Sequence, residues 1–288
     1  MENQIDRLLN QHLLLIIIIL LFPSCAKDRD ISGFFISNDP VNTRFDQSNE
    51  WNNLHPFKNF EINTENYSLL AGGDSHIGGV KNFSTLVNEA KKPGNIAFVM
   101  VGDLVTGKKE DYLTLKSVLP DFDKFPYFLI VGNHDLFYDG WNTFYEYFGT
   151  STYYFTVKTP TYKDLYICLD TGSGTIGDKQ LAWLINLLSN ERVNYRNCIV
   201  FTHLNFFRNN NQLSANPLVT ELYVLLDIFD RYHVNMVISG HAHVKAINVF
   251  GNTTYITLRA LLDGITNPSF LKLNVSKTSL SYNFQAIY

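Results

Sequence analysis

Seven side chains able to bind a metal ion each stand just beyond a short apolar run. Asp74 and His76 follow Tyr67–Ala71 across Gly72 and Gly73, and Asp103 follows Ile96–Val101 and Gly102. Asn133, with His134 and Asp135 behind it, follows Tyr127–Val131 and Gly132. His203 closes Ile199–Thr202, and His241 and His243 come after Met236–Ser239 and Gly240. A Gly-Asp pair or a single His is common in any chain. Five such fragments, each at the end of a strand-like run, supply two Asp, one Asn and four His besides His134. That mixture of oxygen and imidazole donors suits Mn, Fe, Zn or a similar ion and not a Ca cage. It also exceeds what one ion would use, so two divalent or trivalent ions are expected.

These donors need a scaffold that brings distant loops together. The apolar runs named above, together with Leu165–Leu169, read as buried strands. Between them Val80–Lys92, Tyr112–Leu119, Thr143–Phe148, Asp178–Leu188 and Leu218–Tyr232 carry helical spacing. The alternation predicts a layered α/β fold, in which ligands gather at the carboxyl ends of the strands. After His243, alternation through Val244–Phe250, Thr253–Leu258, Leu271–Val275 and Leu280–Ala286 predicts closing antiparallel strands of a second sheet.

The ordered set Asp-x-His, Gly-Asp, Gly-Asn-His-Asp, His and Gly-His-x-His resembles the calcineurin-like metallophosphoesterase superfamily over roughly Tyr67 to Lys245. The resemblance implies a four-layer α/β/β/α sandwich with two mixed β-sheets. It implies that Asp74, His76 and His243 hold a first metal, that Asp103 bridges both, and that Asn133, His203 and His241 complete the second. Such a pair lowers the pKa of a bridging water, so that hydroxide can attack phosphorus. His134 is then expected to stabilise or protonate the leaving oxygen, with Asp135 either orienting its imidazole or capping a turn. The implied activity is phosphoric-ester hydrolysis, phosphatase-like on phosphomonoesters, with nucleotide-type or cyclic diesters as the alternative. A noncatalytic envelope binding protein on the same fold is the rival from another class, and loss of donors would have favoured it.

Phe148-Gly149, Tyr153-Tyr154-Phe155, the run Ile167–Thr171 and the run Gln180–Leu184 look like the branch of purple acid phosphatases and cyclic-nucleotide phosphodiesterases. In that pattern Asp170 organises the core edge. Leu104, Val105 and Thr106 follow Asp103 where purple acid phosphatases carry a metal-bound Tyr, so no iron-tyrosinate colour is expected. Leu204 and Asn205 stand where many relatives carry a second His or a Pro. Phe137, Tyr138, Trp141, Phe206, Phe207 and Arg208 flank the donors and would make either an aromatic floor with one phosphate-binding cation or ordinary packing of loops onto the scaffold.

With 45% hydrophobic and 17% charged residues the chain is of ordinary globular composition, and a net charge of −4 disfavours nucleic-acid binding through the overall surface. The substrate that the resemblance implies is a small phosphorylated molecule. Leu13–Phe22 is too short, at about 1.5 Å per residue, to cross a hydrocarbon core of about 30 Å, and reads as the centre of a signal peptide. Arg7 is the only cation before it, opposed by Glu2 and Asp6. Ser24-Cys25 then resembles a lipobox. The expected organisation is a lipoprotein-type signal peptide over 1–24, a tether and irregular lead-in over 25–66, and a metallophosphoesterase domain over 67–288. Lipid on Cys25 would attach the protein to the cell envelope, as an outer-membrane lipoprotein given Ala26; a soluble secreted or periplasmic protein is the alternative. Cys168 and Cys198 lie in apolar runs and read as buried free thiols, and His55 and His233 as structural residues.

Overall fold

A computed structural model describes residues 39–56, 59–208, 212–214 and 219–288, within the compact unit Ser32–Tyr288. The expected signal peptide, Cys25 and the first part of the tether lie outside the described residues. Among the described residues no helix is long and apolar enough to cross a membrane.

Strand β2 (Tyr67–Gly72) sends Leu69 and Ala71 to one face and Leu70 to the other, as the period of two requires. It pairs in parallel with β3 (Asn95–Val101), which pairs with β4 (Tyr127–Ile130). Helices α2 (Lys81–Ala90) and α3 (Lys109–Val118) are the crossovers, and α4 (Gly140–Phe148) packs on the same outer face. The second sheet begins at the short β1 (Phe60–Glu61), beside β5 (Tyr153–Lys158), and continues through β6 (Lys163–Cys168), β7 (Asn197–Phe201) and β8 (Met236–Ser239). Helices α5 (Asp178–Glu191) and α6 (Val219–Arg231) cover its outer face.

The final four strands are divided between the sheets, which corrects the expectation of a single closing sheet. Antiparallel partners β9 (Ala246–Phe250) and β10 (Thr253–Thr257) extend this second sheet beyond β8, giving the order β1-β5-β6-β7-β8-β10-β9. The chain then crosses to the other sheet, where β11 (Ser269–Val275) and β12 (Leu280–Ala286) give β12-β11-β2-β3-β4. Alternation fixes which side chains are buried but carries no information on which edge a strand joins. The result is a sandwich of two mixed sheets between helical layers, as the resemblance implied.

The sheets share a core of Leu69, Val99, Val101, Phe128, Phe155, Tyr166, Phe201 and Ile256 with their neighbours, and the Phe128 and Phe155 rings stack at 3.7 Å. At the rim where the strands begin, the Tyr67 hydroxyl bonds Asp164 across the sheets at 2.7 Å, and Asp164 also pairs with Arg196. Cys168 faces this core while Cys198 faces the helices, so both are free thiols on opposite faces of their sheet.

The lead-in is not irregular throughout. Residues Val41–Leu54 form a 14-residue helix, α1, which lies against the edge of the fold. Arg44, Gln47, Ser48, Trp51 and Asn52 fall on one side at helical spacing and reach inward. Arg44 and Ser48 are fully buried, Gln47 accepts the Trp141 indole N–H at 2.6 Å, and Asn52 donates to the Thr152 carbonyl at 2.7 Å. The buried stripe is polar, which is why apolar periodicity gives no sign of it.

Candidate metal centre

The strand-end loops are laced to one another before any side chain is considered. Asp74 N–H donates to the Gly102 carbonyl at 3.0 Å, His76 N–H to Asp103 at 2.9 Å, and Gly240 N–H to His203 at 3.0 Å. Further amides fix the carboxylates: Asp103 Oδ1 accepts His134 N–H and Asp74 Oδ1 accepts His241 N–H, each at 2.8 Å. The lacing is tight enough to force unusual backbone. Asp74, His76, Asp103, His241 and His243 all adopt left-handed φ, between 40° and 68°. Each such residue costs on the order of 1–3 kcal/mol and persists only where its surroundings over-determine it. Glycine is required where loops touch: a Cβ on Gly132 would lie 2.2 Å from Asp103 Oδ1, and one on Gly240 would lie 2.6 Å from Asp74 Oδ2.

The donors fall into two clusters. In the first, single donor atoms of Asp74, His76, Asp103 and His243 lie within 4.8 Å of one another; in the second, those of Asp103, His203 and His241 do. Asn133 joins the second, its Oδ1 3.0 Å from both His203 Nε2 and His241 Nδ1. Asp103 belongs to both clusters, with Oδ2 3.6 Å from His76 Nε2 and Oδ1 3.4 Å from His203 Nε2. All seven residues of the sequence-derived donor set are thus brought together.

Cations fit this arrangement. His203 Nδ1 lies 2.9 Å from the Val101 carbonyl, which fixes the proton there and leaves Nε2 with a bare lone pair. That lone pair faces Asn133 Oδ1, another acceptor, and His241 Nδ1 at 3.3 Å. His76 Nε2 and His243 Nε2 similarly face each other at 3.3 Å. Asp74 Oδ2 and Asn133 Nδ2 are buried without a hydrogen-bond partner. Burial pushes His76 and His241 down to about 3 and also lowers His203, so these imidazoles are neutral and able to donate. His243 is raised, chiefly by its bond to Asp74. Burial would raise Asp74, but bonding to His243 and the field of the neighbouring imidazoles hold it below the usual carboxylate range.

His134 is half-buried at the edge of the first cluster, its ring 4.5 Å from the His76 and Phe137 rings. The carboxylate of Asp135 is fully buried and accepts Val105 N–H at 2.9 Å and Gly132 N–H at 2.8 Å, so it ties the loops after β3 and β4 together, in keeping with the turn-capping one of its two expected roles. Burial, followed by repulsion from Asp103, pushes it up to about 7. The aromatic floor is not assembled: Trp141, Phe206 and Phe207 are buried in scaffold packing, Phe207 against Tyr255 at 5.0 Å, while Tyr138 is 66% exposed. Asp170 does organise the core edge. It pairs with Arg44, and Gln180 satisfies both its N–H and its carbonyl, each at 2.8 Å. Arg44, Ser48 and Ser151, which support the donor loops, escape sequence reasoning because no spacing links them to a motif.

Two clusters of oxygen and nitrogen donors that could hold metal ions, on a double-sheet sandwich, are the equipment of a phosphoric-ester hydrolase. The family model described as calcineurin-like phosphoesterase matches residues 67–245, and the chain belongs to that family. No curated protein matches it. Similar solved structures include a dimetal phosphatase from Danio rerio, with 10% identity over 76% of this chain and 96% of that one and a TM-score of 0.59. GAP50, described as the anchor in the inner membrane complex of Plasmodium, has 13% identity over 77% and 84% and a TM-score of 0.58. A putative 5'-nucleotidase from Staphylococcus aureus has 13% identity over 75% and 54% and a TM-score of 0.51. At these identities the likeness is one of fold.

Proposed function

We propose that this chain hydrolyses phosphomonoesters at a centre of two ions, held by Asp74, His76, Asp103 and His243 on one side and by Asp103, Asn133, His203 and His241 on the other. The single observation that carries this reading is that Asp103 is shared by both donor clusters, each oxygen turned toward a different one. When bound, two such ions supply an activated water and offset charge on the phosphate oxygens. Asp103 holds the two positions together without cancelling their charge. The laced amides keep its carboxylate, and that of Asp74, from turning away. His134 stands beside the first cluster, where it donates a proton to the oxygen leaving phosphorus. Of the similar structures named above, one is a phosphatase and one a putative nucleotidase, which supports the monoester reading; nucleotide-type diesters are the alternative.

Initial rates on p-nitrophenyl phosphate, bis-p-nitrophenyl phosphate and cyclic AMP, with metal content measured on the same samples, test the assignment. Monoester turnover dominant over diester turnover is the expected result, and the reverse order would replace it with a phosphodiesterase. We also propose, from the sequence of residues 1–26, that the mature protein carries lipid on Cys25 at the cell envelope. Mass spectrometry of the protein from membranes should find an acylated N-terminal cysteine, and recovery as an unmodified soluble chain would overturn this.

A further inference from the structure

Two hydrogen-bonded paths lead from α1 into the loops of the second donor cluster. Arg44 Nε and Nη2 grip Asp170 at 2.7 and 3.0 Å, and Nη2 also donates to Ser173 Oγ at 3.0 Å. Asp170 Oδ1 accepts the Gly172 N–H at 3.1 Å, so the turn Asp170–Ser173 is held from both sides. Within that turn Thr171 Oγ1 accepts His203 N–H at 3.2 Å and Leu204 N–H at 3.1 Å, and meets Thr202 Oγ1 at 2.9 Å. The first path therefore ends on the backbone of His203. The second begins at Ser48, whose Oγ accepts Ser151 N–H at 3.2 Å, and Ser151 Oγ accepts Val131 N–H at 2.9 Å. Val131 leads directly through Gly132 to Asn133.

Both paths finish at residues of one cluster, His203 and Asn133. The loops of the first cluster are tied to each other, through Asp74 to Gly102 and through His76 to Asp103. Arg44 and Ser48 are each at most 1% exposed, and a fully buried guanidinium is costly unless its partners satisfy it, as Asp170, Ser173 Oγ and the Asp39 carbonyl do here. We propose that α1 is a working part of the second metal position, with Arg44 a positioning residue for His203 and Ser48 one for Asn133. The inference rests on the two-ion reading above and adds to it that the two positions depend unequally on a helix N-terminal to the matched family region. Partners that orient metal ligands commonly contribute 10–100-fold to affinity, and here the influence passes through Asp170 and Thr171 on one path and through Ser151, Val131 and Gly132 on the other, so the low end, about tenfold, is expected.

The test is titration of the metal-stripped full chain with Mn²⁺ by calorimetry, with manganese EPR of the same samples. The double variant Arg44→Met/Asp170→Asn cuts the first path without leaving a buried charge unpaired, and Ser48→Ala cuts the second at its origin on α1. Circular dichroism and thermal melts establish that each variant is folded. Wild type should bind two ions per chain; each variant should keep the tighter or looser binding of the first cluster unchanged while the second ion binds about tenfold more weakly. His243→Ala, which damages the first cluster, identifies which isotherm belongs to which position. Unchanged binding of both ions, or equal weakening of both, overturns the inference while leaving the two-ion reading intact. Wild type that takes up fewer than two ions overturns that reading and the inference with it.

Discussion

Replacing Asp135 by Asn separates a loop-bracing carboxylate from one that works on His134. The wild-type carboxylate sits fully buried beside Asp103 and is pushed from 3.8 to about 7, burial being the larger cause. About three pH units at 1.36 kcal/mol each correspond to a penalty of about 4 kcal/mol once the group is ionised. Because the folded-state value is raised, the penalty is absent below about pH 4 and complete above about pH 7, so it removes stability as pH rises. Asn is neutral throughout and escapes the penalty. It loses one acceptor, however, since its NH2 must face either Gly132 N–H or Val105 N–H, at a cost of about 1–3 kcal/mol. The metal-stripped variant should therefore be about 1–3 kcal/mol less stable than wild type near pH 4 and about 1–3 kcal/mol more stable near pH 8. Urea denaturation of both proteins at the two pH values reads the crossing directly. A difference of constant sign and size would refute the bracing argument. A fall in kcat with no stability difference at either pH would return Asp135 to the imidazole of His134.

Asp103→Asn should abolish turnover in a chain whose circular dichroism is unchanged, and full activity would remove the shared carboxylate from the mechanism. His134→Ala should retain its metal content while kcat falls by about 10²- to 10⁴-fold, as for general acid groups; metal loss in proportion to activity would show instead that the ring supports the cluster. Gly132→Ala places a Cβ 2.2 Å from Asp103 Oδ1 and 2.3 Å from its backbone nitrogen, so elemental analysis should find both ions depleted; a variant with full metal content would mean the loop can yield.

The donors were legible in the sequence because each stands where an apolar run of strand length stops, and strand ends in such folds face one rim. The central strands were legible for the same reason, as with Asn95–Val101, buried on both faces. Where physics at a distance decides, the sequence is silent. The helix α1 hides because its inward stripe is Arg44, Gln47, Ser48, Trp51 and Asn52, and a buried Arg is intelligible only once Asp170, 126 residues away, is beside it. Asp135 follows His134 in the chain, yet the short helical turn at His134–Asp139 sends its carboxylate toward Gly132 and Val105. Phe206 and Phe207 lie close to His203 in sequence, but the hydrophobic effect claims them for the layer beneath α6.

The donors are also divided by sheet. Asp74, His76, Asp103 and Asn133 come from the five-stranded sheet, and His203, His241 and His243 from the seven-stranded one. Any ion held there rivets the two sheets along one rim, as the Tyr67–Asp164 bond does along the other. Chelation is then expected to unfasten the sandwich from one side only, and amide exchange should quicken at Gly73, Gly102 and Gly240 while Tyr67 and Tyr166 stay protected. All three oxygen donors sit on one half and three of the four imidazoles on the other, so the hardness of the site can be retuned from the five-stranded half alone, leaving the imidazole wall untouched.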